Sequence, residues 1–124
     1  MEHREEISIT LRFNEMINTR NLTGLAALMA EDHTFIDISG DIHSGRDKMI
    51  TGWLDFFESY PDYRNNFTKV EARNNLVLMI GFSDCTHKPL DGPSIWTAKI
   101  RDRKVAEWRV YEDSMAVRKS LSLD

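Results

Sequence analysis

The sequence predicts an α+β fold, in which three N-terminal helices cover the concave face of a curved, mixed but mainly antiparallel sheet. Two observations carry that expectation. Apolar residues recur at helical spacing as far as Pro61, and from Tyr63 onward the chain switches to β-rich runs divided by turn signals. A chain of 124 residues that changes period once is one domain, residues 1–124, large enough to bury about 65–70% of its unfolded surface without disulfide or structural metal.

The elements follow in order. Ile9, Phe13, Met16 and Ile17 make one apolar stripe, which predicts a helix from about Glu2 to Thr19. Asn21 reads as the N-cap of a shorter helix carrying Leu22, Leu25, Leu28 and Met29. A brief strand, "HTFIDI", is broken by Gly40. Ser44 with Asp47 has the form of a capping box, and Ile50, Trp53, Leu54 and Phe57 give the stripe of a third helix that Pro61 stops. Four β-rich runs, "YRNNFTKVEAR", "NLVLMIGFSDCTH", "SIWTAKIRD" and "KVAEWRVYED", are separated at Asn74-Asn75, "KPLDGP" and "RDRK", which predicts an antiparallel meander. The last residues, "SMAVRKSLSLD", read as a short helix or tail.

Composition excludes several classes of function. The net charge is −4 with the basic residues dispersed, so no basic face for nucleic acid is expected. The longest apolar run, "LVLMIGF", is far too short to span a membrane, and "MEHREEIS" has no apolar core of a secretory signal. A single cysteine, Cys85, allows no internal disulfide and makes a cytoplasmic location the expectation. No glycine-rich phosphate loop or nucleophile motif occurs, and the spacing of Asp37, Asp41 and His43 follows no standard metal-ligand pattern, so neither cofactor nor metal is expected.

A curved sheet closed by helices leaves a cone that side chains cannot fill, and a pocket lined by aromatic and Met side chains is the expected result. On the last strand Arg109, Tyr111 and Asp113 alternate with Trp108, Val110 and Glu112. The expectation is that the polar face looks into the cone, and that Trp108 and Val110 lie on the convex face and join two copies as a homodimer.

The order of elements resembles the nuclear transport factor 2-like superfamily, a cone fold that includes ketosteroid isomerase, SnoaL-like polyketide cyclases and limonene epoxide hydrolase. The run "RFNEMINTRNLTGLAALMAEDHTFIDISG" is similar to the isomerase pattern of helix, "D-L-x-G-I-x-A-L-F-A-x-D-A-T", then "D-P-x-G". That likeness puts Asp37 on the general base, while "SGRDKMITGW" looks like the family's entry to its third helix. The likeness departs at Phe13, which replaces the oxyanion tyrosine, and at "SIWTAKI", which lacks the second oxyanion acid. Losing donors that elsewhere contribute about 2.7–4 kcal/mol each argues against steroid isomerisation. "WRVYEDSMAVRKSL" is similar to the cyclase and hydrolase ending, which puts Asp113 on their acid, and "DCTHKP" is similar to the cyclases' "G-T-H" strand, which puts His87 on their histidine.

What the resemblance implies is a SnoaL-like enzyme performing acid/base chemistry, by isomerisation, cyclisation or hydrolysis, on a small hydrophobic molecule. Asp113, Asp37 and His87 are the candidate catalytic residues. Tyr111, Arg109, Phe13, Trp53, Phe57 and Trp96 are the candidate binding residues. Each also has an ordinary reading: Asp113 as the cap of the last helix, Asp37 as a turn former before "ISG", His87 as a loop residue, and the aromatics as core. The competing class is a ligand-binding or dimerising module of the same fold without chemistry.

Overall fold

A computed structural model describes residues 3–74 and 76–123. Glu2 at the expected start of the first helix, Asn75 in the expected Asn74-Asn75 turn, and Asp124 at the end of the tail lie outside the described residues. Helix α1 (His3–Asn18) and helix α2 (Leu22–Leu28) are followed by strands β1 (Met29–Ile36) and β2 (Ile42–Ser44), helix α3 (Arg46–Ser59), strands β3 (Arg64–Arg73), β4 (Leu76–Asp84), β5 (Gly92–Arg101) and β6 (Lys104–Glu112), and helix α4 (Met115–Ser120).

The strands form one six-stranded sheet in the order β2-β1-β6-β5-β4-β3, with β1 parallel to β6 and every other neighbour antiparallel. The meander and the three helices on the concave face match the expected α+β cone. Asn21 caps α2 as its sequence position suggests, accepting from the Gly24 N–H at 2.8 Å. The "RDRK" turn places Asp102 and Arg103 at positive φ, the conformation of a tight hairpin.

Three local readings are corrected. Met29, expected on the second helix, opens β1, because the chain turns extended directly after Leu28. The capping box at Ser44 does not form: Ser44 ends a strand, and α3 begins after Gly45, whose φ of 102° suits glycine. Strand β2, which "DIHS" does not announce by alternation, pairs with β1 and puts His43 opposite Phe35.

The sheet separates two apolar layers. On the concave side Phe13 and Ile17 of α1, Leu25 of α2 and Trp53 and Phe57 of α3 pack on Val77, Met79, Trp96, Ala98 and Trp108. Trp108 meets Phe13 at 4.7 Å between ring centres. On the convex side Leu78 and Ile95 are covered by Leu123, with Tyr111, Val117 and Leu121 packed against them. The oily face of β6 therefore points into the cone, the reverse of the expected orientation. The apolar surface offered by three helices exceeds what the short α4 segment supplies, so the large ring of Trp108 faces the helices. The homodimer expectation thereby loses its oily β6 patch.

Curvature comes from bulges in β3 and β6, where Thr68 is left over in the pairing with β4 and Ala106 in the pairing with β5. Gly81 lies opposite the first of these, and a Cβ there would stand 2.0 Å from the Asn66 carbonyl oxygen. Only glycine allows that approach, and the bend it permits keeps the cone open. No helix among the described residues is long and apolar enough to cross a membrane.

Candidate functional site

A cavity of about 420 Å³ lies between α3 and the concave face of the sheet. Its wall is aromatic: Phe35 from β1, Trp53 and Phe56 from α3, Trp96 from β5, and Trp108 with Val110 from β6. The rings brace one another, Phe35 against Trp53 at 6.0 Å and Trp53 against Phe56 at 5.6 Å. The segment Pro89–Ser94 completes the opening. Such a lining binds apolar matter through area removed from water and leaves selectivity to the few polar groups present.

The first polar group is Asp37 with His43 at the rim. Asp37 stands just beyond β1, two residues after Phe35, and so shares its face. The pairing of β2 with β1 carries His43 beside it, with His43 Nε2 3.1 Å from Asp37 Oδ2. Asp37 Oδ1 accepts the backbone N–H groups of Ser39 and Asp41, each at 3.0 Å, which closes the turn between the two strands. Partial burial pushes the Asp37 carboxyl up, but the hydrogen bonds from His43, Asp41 and Ser39 outweigh it and hold the group below the usual carboxylate range. An ionised carboxylate only accepts, so His43 donates its Nε2–H, and the neutral tautomer that this bond selects is the one with its lone pair on Nδ1. The pair is thus an oriented imidazole, with side chains 38% and 30% exposed for His43 and Asp37, at the edge of an oily cavity.

The second polar group is Tyr63 with Ser83, where β3 and β4 begin and end. Both line the cavity. Ser83 Oγ is 3.3 Å from the Tyr63 hydroxyl and 2.9 Å from Asn65 Oδ1, and burial pushes the Tyr63 phenol up, so it stays protonated.

The sequence candidates divide accordingly. Asp37, Trp53 and Trp96 line the cavity. Asp113 does not: Arg118 Nε and Nη2 donate to its two oxygens at 2.7 and 2.9 Å, and these bonds hold its carboxyl below the usual range. The cap of α4 is Ser114, whose Oγ accepts from the Val117 N–H at 3.2 Å. Arg109 and Tyr111 lie on the convex side with the guanidinium 4.5 Å over the phenol ring, and Tyr111 packs in the cluster that Leu123 covers. All three follow from the orientation of β6, because turning Trp108 inward turns its odd-numbered neighbours outward. Phe13 is fully buried against Trp108 and His33, deeper than the cavity wall. Phe57 lies behind Trp53 in the core, away from the cavity surface. His87 is exposed and stacks on Tyr60 at 5.0 Å, outside the lining, because the 3₁₀ turn at Lys88–Leu90 carries Pro89 and Leu90 to the opening instead.

Sequence reasoning weighs His43 beside Asp37 only as a metal ligand, and misses Phe35, Tyr63 and Ser83. The pairing of His43 with Asp37 becomes visible only once β2 exists, since six residues separate the two and a hairpin is needed to join them. Phe35 carries a signal, the i, i+2 spacing to Asp37. Asp41, the third member of the group weighed for a metal, meets Asp37 through its backbone N–H. Among the described residues no group of His, Cys, Asp and Glu stands together as a metal site.

The comparisons bear on the fold. The family profile of the SnoaL-like domain matches residues 10–115. The chain superposes on a candidate SnoaL-like polyketide cyclase from Shewanella denitrificans with a TM-score of 0.77 at 16% identity, covering 96% of this chain and 98% of that one. An LEH-like epoxide hydrolase of M. tuberculosis gives a TM-score of 0.77 at 15% identity, with 88% and 83% covered. A candidate ketosteroid isomerase from Kribbella flavida gives 0.73 at 16% identity, with 89% and 78% covered. These similarities speak for the fold alone. No curated protein matches the sequence. With the family profile spanning most of its length, the chain belongs to the SnoaL-like family, and it has the cone fold of these structures.

Proposed function

We propose that the cavity binds a small hydrophobic molecule and that His43, oriented by Asp37, moves a proton on it, as in isomerisation, cyclisation or hydrolysis. The observation that carries this reading is the Asp37–His43 pair on the rim of a cavity walled by Phe35, Trp53, Trp96 and Trp108. Asp37 is too well solvated by hydrogen bonds to serve as the base itself, since three groups donate to its carboxylate. Its work is to hold the imidazole in one tautomer and to stabilise the imidazolium once Nδ1 has taken a proton from a C–H or from water. The imidazolium then returns that proton to the product. A positioned base of this kind contributes about 10²–10⁴ in rate.

Native mass spectrometry of freshly purified protein identifies a co-purifying molecule, and turnover of that molecule is then measured in variants. His43→Ala should lose at least about a hundredfold, and Asp37→Asn at least about tenfold through the wrong tautomer. Turnover unchanged in both would end the enzymatic reading. One observation favours ligand binding without chemistry: Asp37 Oδ1 closes the β1–β2 turn, work that needs no catalysis. Tight binding with no turnover, indifferent to both variants, would support that module.

A further inference from the structure

The fixed charge around the cavity is of one sign. Asp37 and Asp91 are the acids on its wall, its one base is His43, bound to Asp37, and no Lys or Arg lines it. The sheet topology gathers these acids. β1 runs parallel to β6 and β5 runs antiparallel to it, so the C-terminal ends of β1 and β6 and the N-terminal end of β5 meet at one edge of the sheet. Asp37 follows β1, Asp91 precedes β5, and Glu112 ends β6 opposite Ser94, itself part of the lining. Glu112 shares the concave face with Trp108 and Val110 and stands two residues further out than Val110. Three adjacent strands each bring a carboxylate to the mouth.

The chain does not neutralise them. Asp91 Oδ1 accepts the Cys85 N–H at 3.0 Å, a donor without net charge. Among the described residues neither Asp91 nor Glu112 takes part in an ion pair. Basic side chains at this end of the sheet lie outside the lining: Arg20 donates to the Tyr60 and Pro61 carbonyls, Arg64 stands opposite Asp84 in the β3–β4 ladder, and Lys88 is exposed on the 3₁₀ turn. Behind the acids the wall consists of rings, Phe35, Trp53, Phe56, Tyr63, Trp96 and Trp108, and ring faces carry the negative end of the aromatic quadrupole. Ring faces and carboxylates attract the same kind of ligand. A neutral oily ligand would strip water from the rim acids and give nothing in return, whereas a cation replaces that water with an opposite charge.

We infer that the cavity takes organic cations: an apolar molecule bearing a protonated or quaternary nitrogen, with the nitrogen at the mouth beside Asp37, Asp91 and Glu112 and the apolar body against the rings. The inference rests on the cavity being a site for a small, largely apolar molecule, and it adds the charge of that molecule.

Benzyltrimethylammonium and neopentylbenzene test this, since they share one shape and differ by a quaternary nitrogen in place of a carbon. Binding is read from tryptophan emission, because Trp53, Trp96 and Trp108, the three tryptophans of the chain, all line the cavity. The native chain should bind the cation about tenfold more tightly than the neutral probe, the scale of a partly desolvated cation–π contact. The double variant Asp91→Asn/Glu112→Gln should lower the cation's affinity at least about threefold and leave neopentylbenzene unchanged, and about 0.5 M salt should do the same to the native chain. Asn at position 91 keeps the oxygen that accepts the Cys85 N–H, so the β4–β5 turn stays tied. Equal binding of the two probes by the native chain, or a preference for neopentylbenzene, would overturn the inference while leaving the apolar cavity in place. A preference for the cation that persists undiminished in the double variant would take the acids out of recognition and equally overturn it. Binding of neither probe would overturn both this inference and the cavity reading on which it rests.

Discussion

Trp108 and Arg109 are neighbours in the chain and live in different solvents. Trp108, with Val110, faces α1 and the cavity, while Arg109, with Tyr111, faces the C-terminal segment that folds back over the convex side. The difference teaches that a polar strand face is not thereby the functional one. Which way a strand turns is decided by the apolar area waiting on each side. Three helices wait on the concave side, whereas one six-residue helix and Leu123 wait on the other. A cavity is itself a place where the larger core is left unfilled, so the oily face of β6 is the face that lines it.

The largest expected effect follows directly. Trp108 is 1% exposed, and Trp108→Ala should cost about 3–5 kcal/mol in urea unfolding, as for large aromatic truncations in cores. Tyr111→Ala removes a half-buried ring and its contact with the Arg109 guanidinium, and about 1–2 kcal/mol is expected. Equal losses would break the asymmetry between the faces.

Next comes removal of residues 115–124. This uncovers Leu78 and Ile95 and takes away Val117, Leu121, Leu123 and the partner of Asp113. Burial of those side chains corresponds to about 2–4 kcal/mol, and the bared convex face should drive self-association at micromolar concentration, read by light scattering. A truncated chain that stays monomeric and equally stable would show that the C-terminal segment is not the cover of that face.

A third effect depends on pH and belongs to the concave layer. His33 is fully buried with Nδ1 2.7 Å from the Val105 carbonyl oxygen, and desolvation lowers its pKa against the opposing pull of that hydrogen bond. In the unfolded chain the group titrates near 6.5. Between that value and the lower folded one, the unfolded state binds the extra proton, so stability is full above about pH 6.5 and is lost as pH falls below it. One proton gives a slope of up to about 1.4 kcal/mol per pH unit. Urea midpoints of the native chain and His33→Gln at pH 7 and pH 5 check this, and the variant should show the smaller difference.

How far the sequence reaches is explained by range. Helices, caps and tight turns are legible because their causes lie within a few residues: the stripe of Ile9, Phe13 and Ile17, Asn21 with Gly24, and Asp102-Arg103. Asp37 is legible as a candidate by its likeness to the isomerase's general base. The pairing of His43 with Asp37 depends on a three-residue strand with no alternation, and the Asn14, Asn65, Ser83 and Tyr63 network joins residues that lie far apart in the chain. The orientation of β6 is a competition among distant elements, which is why Asp113, Tyr111 and Arg109 read as site residues from sequence and stand elsewhere in the fold.

The smallest expected effect sharpens the same contrast through its two carboxylates. Asp37 and Asp113 both have folded pKa values below the ordinary one near 3.9, Asp113 chiefly through the hydrogen bond from Arg118, and Asp37 through hydrogen bonds that override its partial burial. Each therefore contributes stability that is complete above about pH 4 and disappears as pH falls through the folded value. Asp37→Asn and Asp113→Asn should each flatten the acid limb of the stability curve. Salt separates them. The Asp113–Arg118 pair is an ion pair at the surface of the C-terminal segment, with a Debye length of about 3 Å in 1 M salt to screen it. Asp37 draws two of its three bonds from backbone N–H groups that carry no net charge. In 1 M NaCl the penalty of Asp113→Asn should shrink while that of Asp37→Asn persists. Binding of an apolar fluorescent probe such as anilinonaphthalene sulfonate in the cavity should be unaffected by Asp113→Asn, because the convex side gives that carboxylate no access to the cavity. A loss of affinity in Asp113→Asn as large as that in a cavity-wall variant such as Trp96→Ala would mean that the two faces are coupled through β6, and the separation drawn from its alternation would fail.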